Sequence, residues 1–231
     1  MDFYDNRDIN NYVIQEDTTF QNCLVRVFAW LFIGLLISAG VAYATANYWV
    51  SSITRGAIIT SCIAEIVLVV LLTARINKIS YTTAKVSFIA YAAINGFSLA
   101  GLFFMYDIGS IVTAFLLSSV FFGCMALYGV TTKKDLSRLG TIFFVSLISI
   151  LIVSILNIFL RSSGMDLLIA YIGVALFAAL TAFDIQKIKM MYEMHGSGLS
   201  KNIAIYGALS LYLDFINIFL RVLKVIAKKD D

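Results

Sequence analysis

The chain has 231 residues, of which 61% are hydrophobic and 13% charged; it contains no proline and has a mean hydropathy of +0.91. A water-soluble domain carries roughly 45–50% apolar and about 25% charged residues, so the charge here is too sparse to cover a solvent-facing surface. A soluble enzyme, a disordered tail and a disulfide-stapled secreted domain are excluded as main readings. The net charge of +3 comes from scattered basic residues rather than a nucleic-acid-binding face, and a membrane protein is what remains.

Residues 1–22 are polar and acidic, with Asp2, Asp5, Asp8, Glu16 and Asp17, and read as a solvated arm. The uncharged run from Val27 to Thr54 follows, bounded by Arg26 and Arg55. It is longer than the roughly 7–15-residue apolar core of a signal peptide and follows an acidic leader, so a retained membrane helix is expected. Gly56–Ala74 is apolar except for Glu65, whereas Val86–Tyr106, Ile108–Thr132 and Leu139–Leu160 carry no charge. Leu167–Phe183 runs into Asp184, and Asn202–Leu220 is interrupted by Asp214. Each segment approaches the ~20 residues that carry a helix across ~30 Å of hydrocarbon. An outer-membrane barrel would show shorter, alternating segments. The expected fold class is an all-α integral membrane protein with seven transmembrane helices. They form one domain over residues 23–226, followed by a charged tail at 227–231.

Lysine and arginine placement orients the bundle. With the N-terminus inside, the inner side holds Arg7, Arg26, Arg75, Lys78, Lys85, Lys133, Lys134, Arg138, Lys187, Lys189 and Lys201, and the outer loops hold Arg55 and Arg161. Arg221, Lys224, Lys228 and Lys229 oppose this pattern if the seventh segment crosses fully. Either that segment spans and breaks the rule, or it re-enters and returns its tail inside. Cys23, Cys62 and Cys124 lie in different segments without metal-ligand spacing and read as free apolar thiols. The lone histidine, His195, falls in the glycine-bearing connection at 194–200 and reads as a solvated loop residue.

Three acids stand where charge is costly, at least ~2.5–3.5 kcal/mol near a bilayer centre: Glu65, Asp184 and Asp214. Ser210, Asp214, Asn217 and Arg221 follow one another at helical spacing and form a polar stripe, which Gly207 extends. A lipid-facing helix would not carry such a stripe, so the seventh segment is expected to face other helices or water. Asp184 lies one turn after Thr181, on a neighbouring segment, and the two aspartates could meet. Two carboxylates in a low-dielectric site cannot both carry charge cheaply, so a facing pair shares a proton and responds to pH. Deprotonated, it presents hard oxygens that suit a divalent cation such as Ca²⁺. The purely structural alternative pairs Glu65 with Lys224, or Asp184 with Arg75, while Arg75 by itself can snorkel. Asn95 and Ser98 of the third segment read as interhelical glue.

The stretch Ala208-Leu-Ser-Leu-Tyr-Leu-Asp-Phe-Ile-Asn-Ile-Phe-Leu220 resembles the signature of the Bax inhibitor-1 family of multi-spanning membrane proteins. Leu180-Thr-Ala-Phe-Asp-Ile-Gln-Lys-Ile188 and the connection Gly129–Gly140 are similar to further parts of that family, and the resemblance runs from about residue 20 to 226. It implies a seven-helix fold whose last helix is central and wrapped by the other six, and a pH-sensitive Ca²⁺ leak. It further implies that Asp184 and Asp214 form a hydrogen-bonded, pH-sensing pair on which Arg75 acts, and that Glu65 pairs with Lys224. Arg75 stands about one residue out of register, and the connection between the sixth and seventh segments looks longer than in compact bacterial members.

The leading expectation is a passive, proton-gated Ca²⁺ pathway, with Asp184 and Asp214 taking the proton or cation, and with Arg75, Glu65 and Lys224 as gating or latch residues. No permanently bound cofactor is expected; Ca²⁺ enters as the transported ion. The partners are the lipid bilayer, calcium ions and protons, not nucleic acid. A regulatory membrane protein that acts through membrane-protein partners in stress or cell-death control is the alternative. An enzyme is not expected. An intramembrane aspartyl protease would need Tyr-Asp and Gly-x-Gly-Asp motifs, whereas here Phe183 precedes Asp184 and Leu213 precedes Asp214. A retinal protein would need a lysine mid-way along the seventh helix. The compact chain points to a bacterial inner membrane. The ending Lys228-Lys229-Asp230-Asp231 resembles a retrieval signal of the endoplasmic reticulum, the location in a eukaryotic cell.

Overall fold

The computed structural model describes residues 6–75, 78–195 and 200–227, with only the backbone at 6–19 and 55. The helices are α1 (Asn6–Tyr48), α2 (Arg55–Arg75), α3 (Tyr81–Leu99), α4 (Leu102–Met105), α5 (Ile108–Thr131), α6 (Gly140–Leu160), α7 (Ser163–His195) and α8 (Ser200–Ile226). No strand occurs among the described residues. Seven spans are long and apolar enough to cross a membrane, with α3 and α4 forming one span that breaks at Ala100–Gly101. α1 begins at Asn6, ahead of the first span, which starts at Phe20.

Caps set the ends where the chain turns. The Thr83 amide donates to Ser80 Oγ (3.1 Å) at the start of α3, and the Ser110 amide donates to Asp107 Oδ1 (2.8 Å) at the start of α5. Hydrogen bonds from the Ser110 hydroxyl and amide hold the exposed Asp107 carboxyl below its ordinary range. A carboxyl depressed in the folded state contributes stability that is present above its unfolded value and lost as pH falls through the folded one. Amide exchange at 108–111 is therefore expected to accelerate as pH drops below about 4, after correction for the intrinsic rate. Asp107→Asn keeps a capping side chain and should abolish that extra acceleration.

α8 is the most buried span: 78% of its apolar window lies inside the protein, against 11% for α2. It packs mainly on α7, α1 and α5 and more lightly on α3, while α6 rests on α7. α7 and α8 run antiparallel along their length. Ile188 lies against Gly207, Lys187 over the Tyr206 ring, Asp184 beside Ser210, Gly173 under Arg221, and Asp166 against Lys224. α8 therefore runs the length of α7 as one unbroken helix, long and apolar enough to cross fully. Its basic end sits beside the start of α7, on the face opposite Lys133 and Lys201. The long sixth-to-seventh connection is mostly helix: only 196–199 separate α7 from α8, and His195 closes the last turn of α7, its Nδ1 3.0 Å from the Met191 carbonyl oxygen.

Close helix crossings use glycine. A Cβ on Gly96 would stand 2.6 Å from the Ser38 carbonyl oxygen, and one on Gly129 would stand 2.8 Å from the Ala182 carbonyl oxygen, so α1 meets α3 and α5 meets α7 nearly backbone to backbone. Across the first crossing lies a polar layer. Tyr212, fully buried on α8 with its ring against the edges of Phe88 and Tyr91, donates to Asn95 Oδ1 (2.8 Å) and lies 2.6 Å from Ser38 Oγ. Tyr212→Phe leaves those two buried partners short of one hydrogen bond each. It is expected to lower stability by about 1–3 kcal/mol, read as an earlier thermal transition.

Candidate functional site

The polar stripe of α8 faces α7. Ser210 lies beside Asp184, and Thr181 lies beside Asp214, so each carboxylate meets a hydroxyl on the opposite helix. The two carboxylates are near enough for their charges to interact, but no direct hydrogen bond joins them. Asp214 is only 4% exposed, and its Oδ2 is buried without a hydrogen-bond partner among the described residues. The Thr181 hydroxyl stands between two acceptors, the Phe177 carbonyl at 2.9 Å on its own helix and Asp214 on α8. Lys187, less than one turn beyond Asp184 on α7, is the base that faces that acid. Beyond it, Gln186 straps the 132–136 loop: Nε2 donates to the Lys134 carbonyl (2.8 Å) and Oε1 accepts from the Leu136 amide (3.0 Å).

The remaining expected site residues lie elsewhere. Arg75 is exposed at the C-terminal end of α2 and forms no ion pair or hydrogen bond with either aspartate, as its register one residue off had suggested. Glu65 does not pair with Lys224. Its Oε1 accepts from Ser98 Oγ (2.7 Å) and its Oε2 from Asn95 Nδ2 (3.2 Å), both on α3. Lys224 instead reaches Asp166 Oδ1 (2.7 Å) at the start of α7, where Asn157 Nδ2 of α6 also donates (2.7 Å). The physical reason is geometric: α2 packs on α3 and touches α8 only lightly, whereas α7 lies along α8 from end to end. Sequence reasoning missed Asp166, Asn157 and Tyr212. Asp166 sits in the first turn of a helix, where an acid is ordinary, and Tyr212 is one of 12 tyrosines with nothing in its spacing to single it out.

Comparison with known proteins bears on this geometry. The family model described as "Inhibitor of apoptosis-promoting Bax1" matches residues 20–231, which include both aspartates and both helices that carry them. The chain belongs to the Bax inhibitor-1 family. The inner membrane protein YbhL of Escherichia coli K12 is 37% identical over 224 residues, covering 94% of this chain and 96% of the relative. An uncharacterized protein of Borreliella burgdorferi is 38% identical over 212 residues, covering 89% of this chain and 91% of that one. The uncharacterized YrjE of Lactococcus lactis is 34% identical over 225 residues, covering 94% and 95%. Seven apolar spans, together with similarity to an E. coli inner membrane protein, support an integral protein of a bacterial inner membrane. As a Bax inhibitor-1 family member the chain carries Asp214 on its most buried helix, turned towards α7.

Proposed function

We propose that this protein is a proton-responsive calcium leak pathway in which Asp184 and Asp214 act as one unit. The observation that carries the reading is Asp214 Oδ2, buried and without a donor while a second carboxylate faces it. A charge at that oxygen has no hydrogen bond to offset it, so a proton or a cation is the natural balance. With one proton shared, α7 and α8 stay in contact along the stripe. Without it, two negative charges adjoin, and a divalent cation with a preference for hard oxygens offsets them. Among the described residues no cluster of three or more His, Cys, Asp or Glu forms. Two carboxylates and two hydroxyls fall short of the 6–8 oxygens that Ca²⁺ takes, which suits an ion in transit that keeps some of its water.

Purified protein in liposomes is expected to pass Ca²⁺ faster than protein-free liposomes, with a rate that changes over pH 5–8. Absence of flux at every pH would overturn the reading. A second reading, restraint of a stress or cell-death response through membrane-protein partners, rests on the family description. Capture of a defined membrane partner without flux would favour it.

A further inference from the structure

α7 and α8 face each other as an antiparallel ladder whose successive rungs are Lys187 with Tyr206, Asp184 with Ser210, and Thr181 with Asp214. The ladder distributes charge unevenly over the aspartate pair. Lys187 stands one rung from Asp184, ~4.5 Å of rise along α7, but two rungs from the level of Asp214, ~9 Å along the same helix. Its Nζ lies 5.3 Å from the centre of the Tyr206 ring, with the Tyr206 hydroxyl beside it. Tyr206 is only 5% exposed, so its ring is a fixed platform for the half-buried ammonium. Among the described residues no ion pair joins Lys187 to Asp184; held over the ring, the ammonium acts on that acid through space.

The other bases of the two helices are engaged elsewhere. Lys189 is exposed, lies 5.9 Å over the Phe20 ring and pairs loosely with Glu193, while Lys201 lies 6.0 Å over the Tyr81 ring. Arg221 lies against Gly173 and interacts with Asp166, the partner of Lys224. His195 closes the far end of α7 against the Met191 carbonyl. The remaining helices around the pair bring no charge to its level: α1 has no charged residue from Val27 to Tyr48, and α5 and α6 have none along their lengths. Lys85, the one base within α3, interacts with neither aspartate. Asp184 therefore has a cation on its side of the ladder, whereas Asp214 has a buried oxygen without a donor.

We infer that Lys187, seated on Tyr206, is the positioning base of the aspartate pair: it holds the pair's negative charge on Asp184 and leaves the proton on Asp214. The inference rests on the pair proposed above and assigns its parts. Two adjoining carboxylates with one proton place it where a charge would cost more. A charge on Asp184 has the ammonium one turn away to offset it, and a charge on Asp214 Oδ2 has neither a base nor a hydrogen-bond donor. Lys187 thereby fills the place expected of Arg75, which is exposed at the end of α2.

The test follows the infrared carbonyl band of a protonated carboxyl in the full-length protein in nanodiscs, from pH 5 to 9 without added Ca²⁺. At pH 6, Asp214→Asn should remove a band that Asp184→Asn keeps, a comparison that needs no Lys187 variant. Lys187→Gln should move the midpoint of that band up by about 1–2 pH units, because nothing then favours the charged form of the pair. Lys187→Arg keeps the charge and should hold the wild-type midpoint. Lys189→Gln removes the same charge two residues on and should leave the midpoint in place. An unmoved midpoint in Lys187→Gln, an equal shift in Lys189→Gln, or a band lost in Asp184→Asn and kept in Asp214→Asn would overturn the assignment. Ca²⁺ flux through the same variants tells this inference from the leak itself. Absence of wild-type flux with the infrared pattern intact would sink the leak and leave the assignment standing. A pH-dependent flux whose midpoint is the same in wild type and Lys187→Gln would sink the assignment and leave the leak.

Discussion

Gly96→Ala is expected to destabilise the bundle by about 3 kcal/mol, at the upper end of what overpacking costs. The added methyl would stand 2.6 Å from the Ser38 carbonyl oxygen and 2.9 Å from Ser38 Cα, and both are backbone atoms that move only if α1 and α3 separate. Separation also strains what Ser38 holds, since its hydroxyl lies 2.7 Å from the Ala92 carbonyl oxygen and 2.6 Å from the Tyr212 hydroxyl. Gly40→Ala supplies the control: a Cβ there meets nothing within 4 Å, so the same change in α1 should be neutral or stabilising by about 0.5–1 kcal/mol. Denaturation of both variants in the same detergent reads the difference. Similar loss in the two would show that helix propensity rather than close approach decides.

Asp214→Asn is expected to leave the fold intact and flatten the pH response of Ca²⁺ flux. Asparagine keeps the shape of the side chain, and its Oδ1 can still accept from the Thr181 hydroxyl beside it, but it holds no exchangeable charge. Wild-type flux should change about tenfold or more across pH 5–8, and that of the variant by less than about twofold. Glu193→Gln is the control for charge loss alone: Glu193 is exposed and its pair with Lys189 is loose at 4.0 Å, so the profile should not move. A variant that folds and keeps the wild-type profile would remove Asp214 from the account.

What the sequence shows of this fold is what the bilayer dictates. Seven apolar runs, their lengths and the basic residues at their ends follow from hydrocarbon thickness and charge cost, and the seven spans stand where those runs do. The stripe of Ser210, Asp214, Asn217 and Arg221 was legible because helical periodicity puts polar groups on one face, and that face meets α7. Long-range pairing was not legible. Nothing local distinguishes Lys224 with Glu65 from Lys224 with Asp166, because the choice depends on which helix lies alongside α8, and apolar spans have no directional code for their neighbours. The extent of α7 and α8 beyond the apolar runs was hidden for a similar reason. Polar residues such as Lys189, Glu193 and Lys201 continue a helix outside the hydrocarbon as readily as they form a loop.

The central claim is that two carboxylates on α7 and α8 act as one titrating unit, and a double-mutant cycle on the pH profile of Ca²⁺ flux tests it most directly. Wild type, Asp184→Asn, Asp214→Asn and the double variant would be compared in liposomes from pH 5 to 8. If the pair shares one proton, either single change removes the pH response, and the double variant behaves like each single one. Independent, additive shifts from the two single changes, or a double variant that still responds to pH like the wild type, would contradict the shared-proton pair.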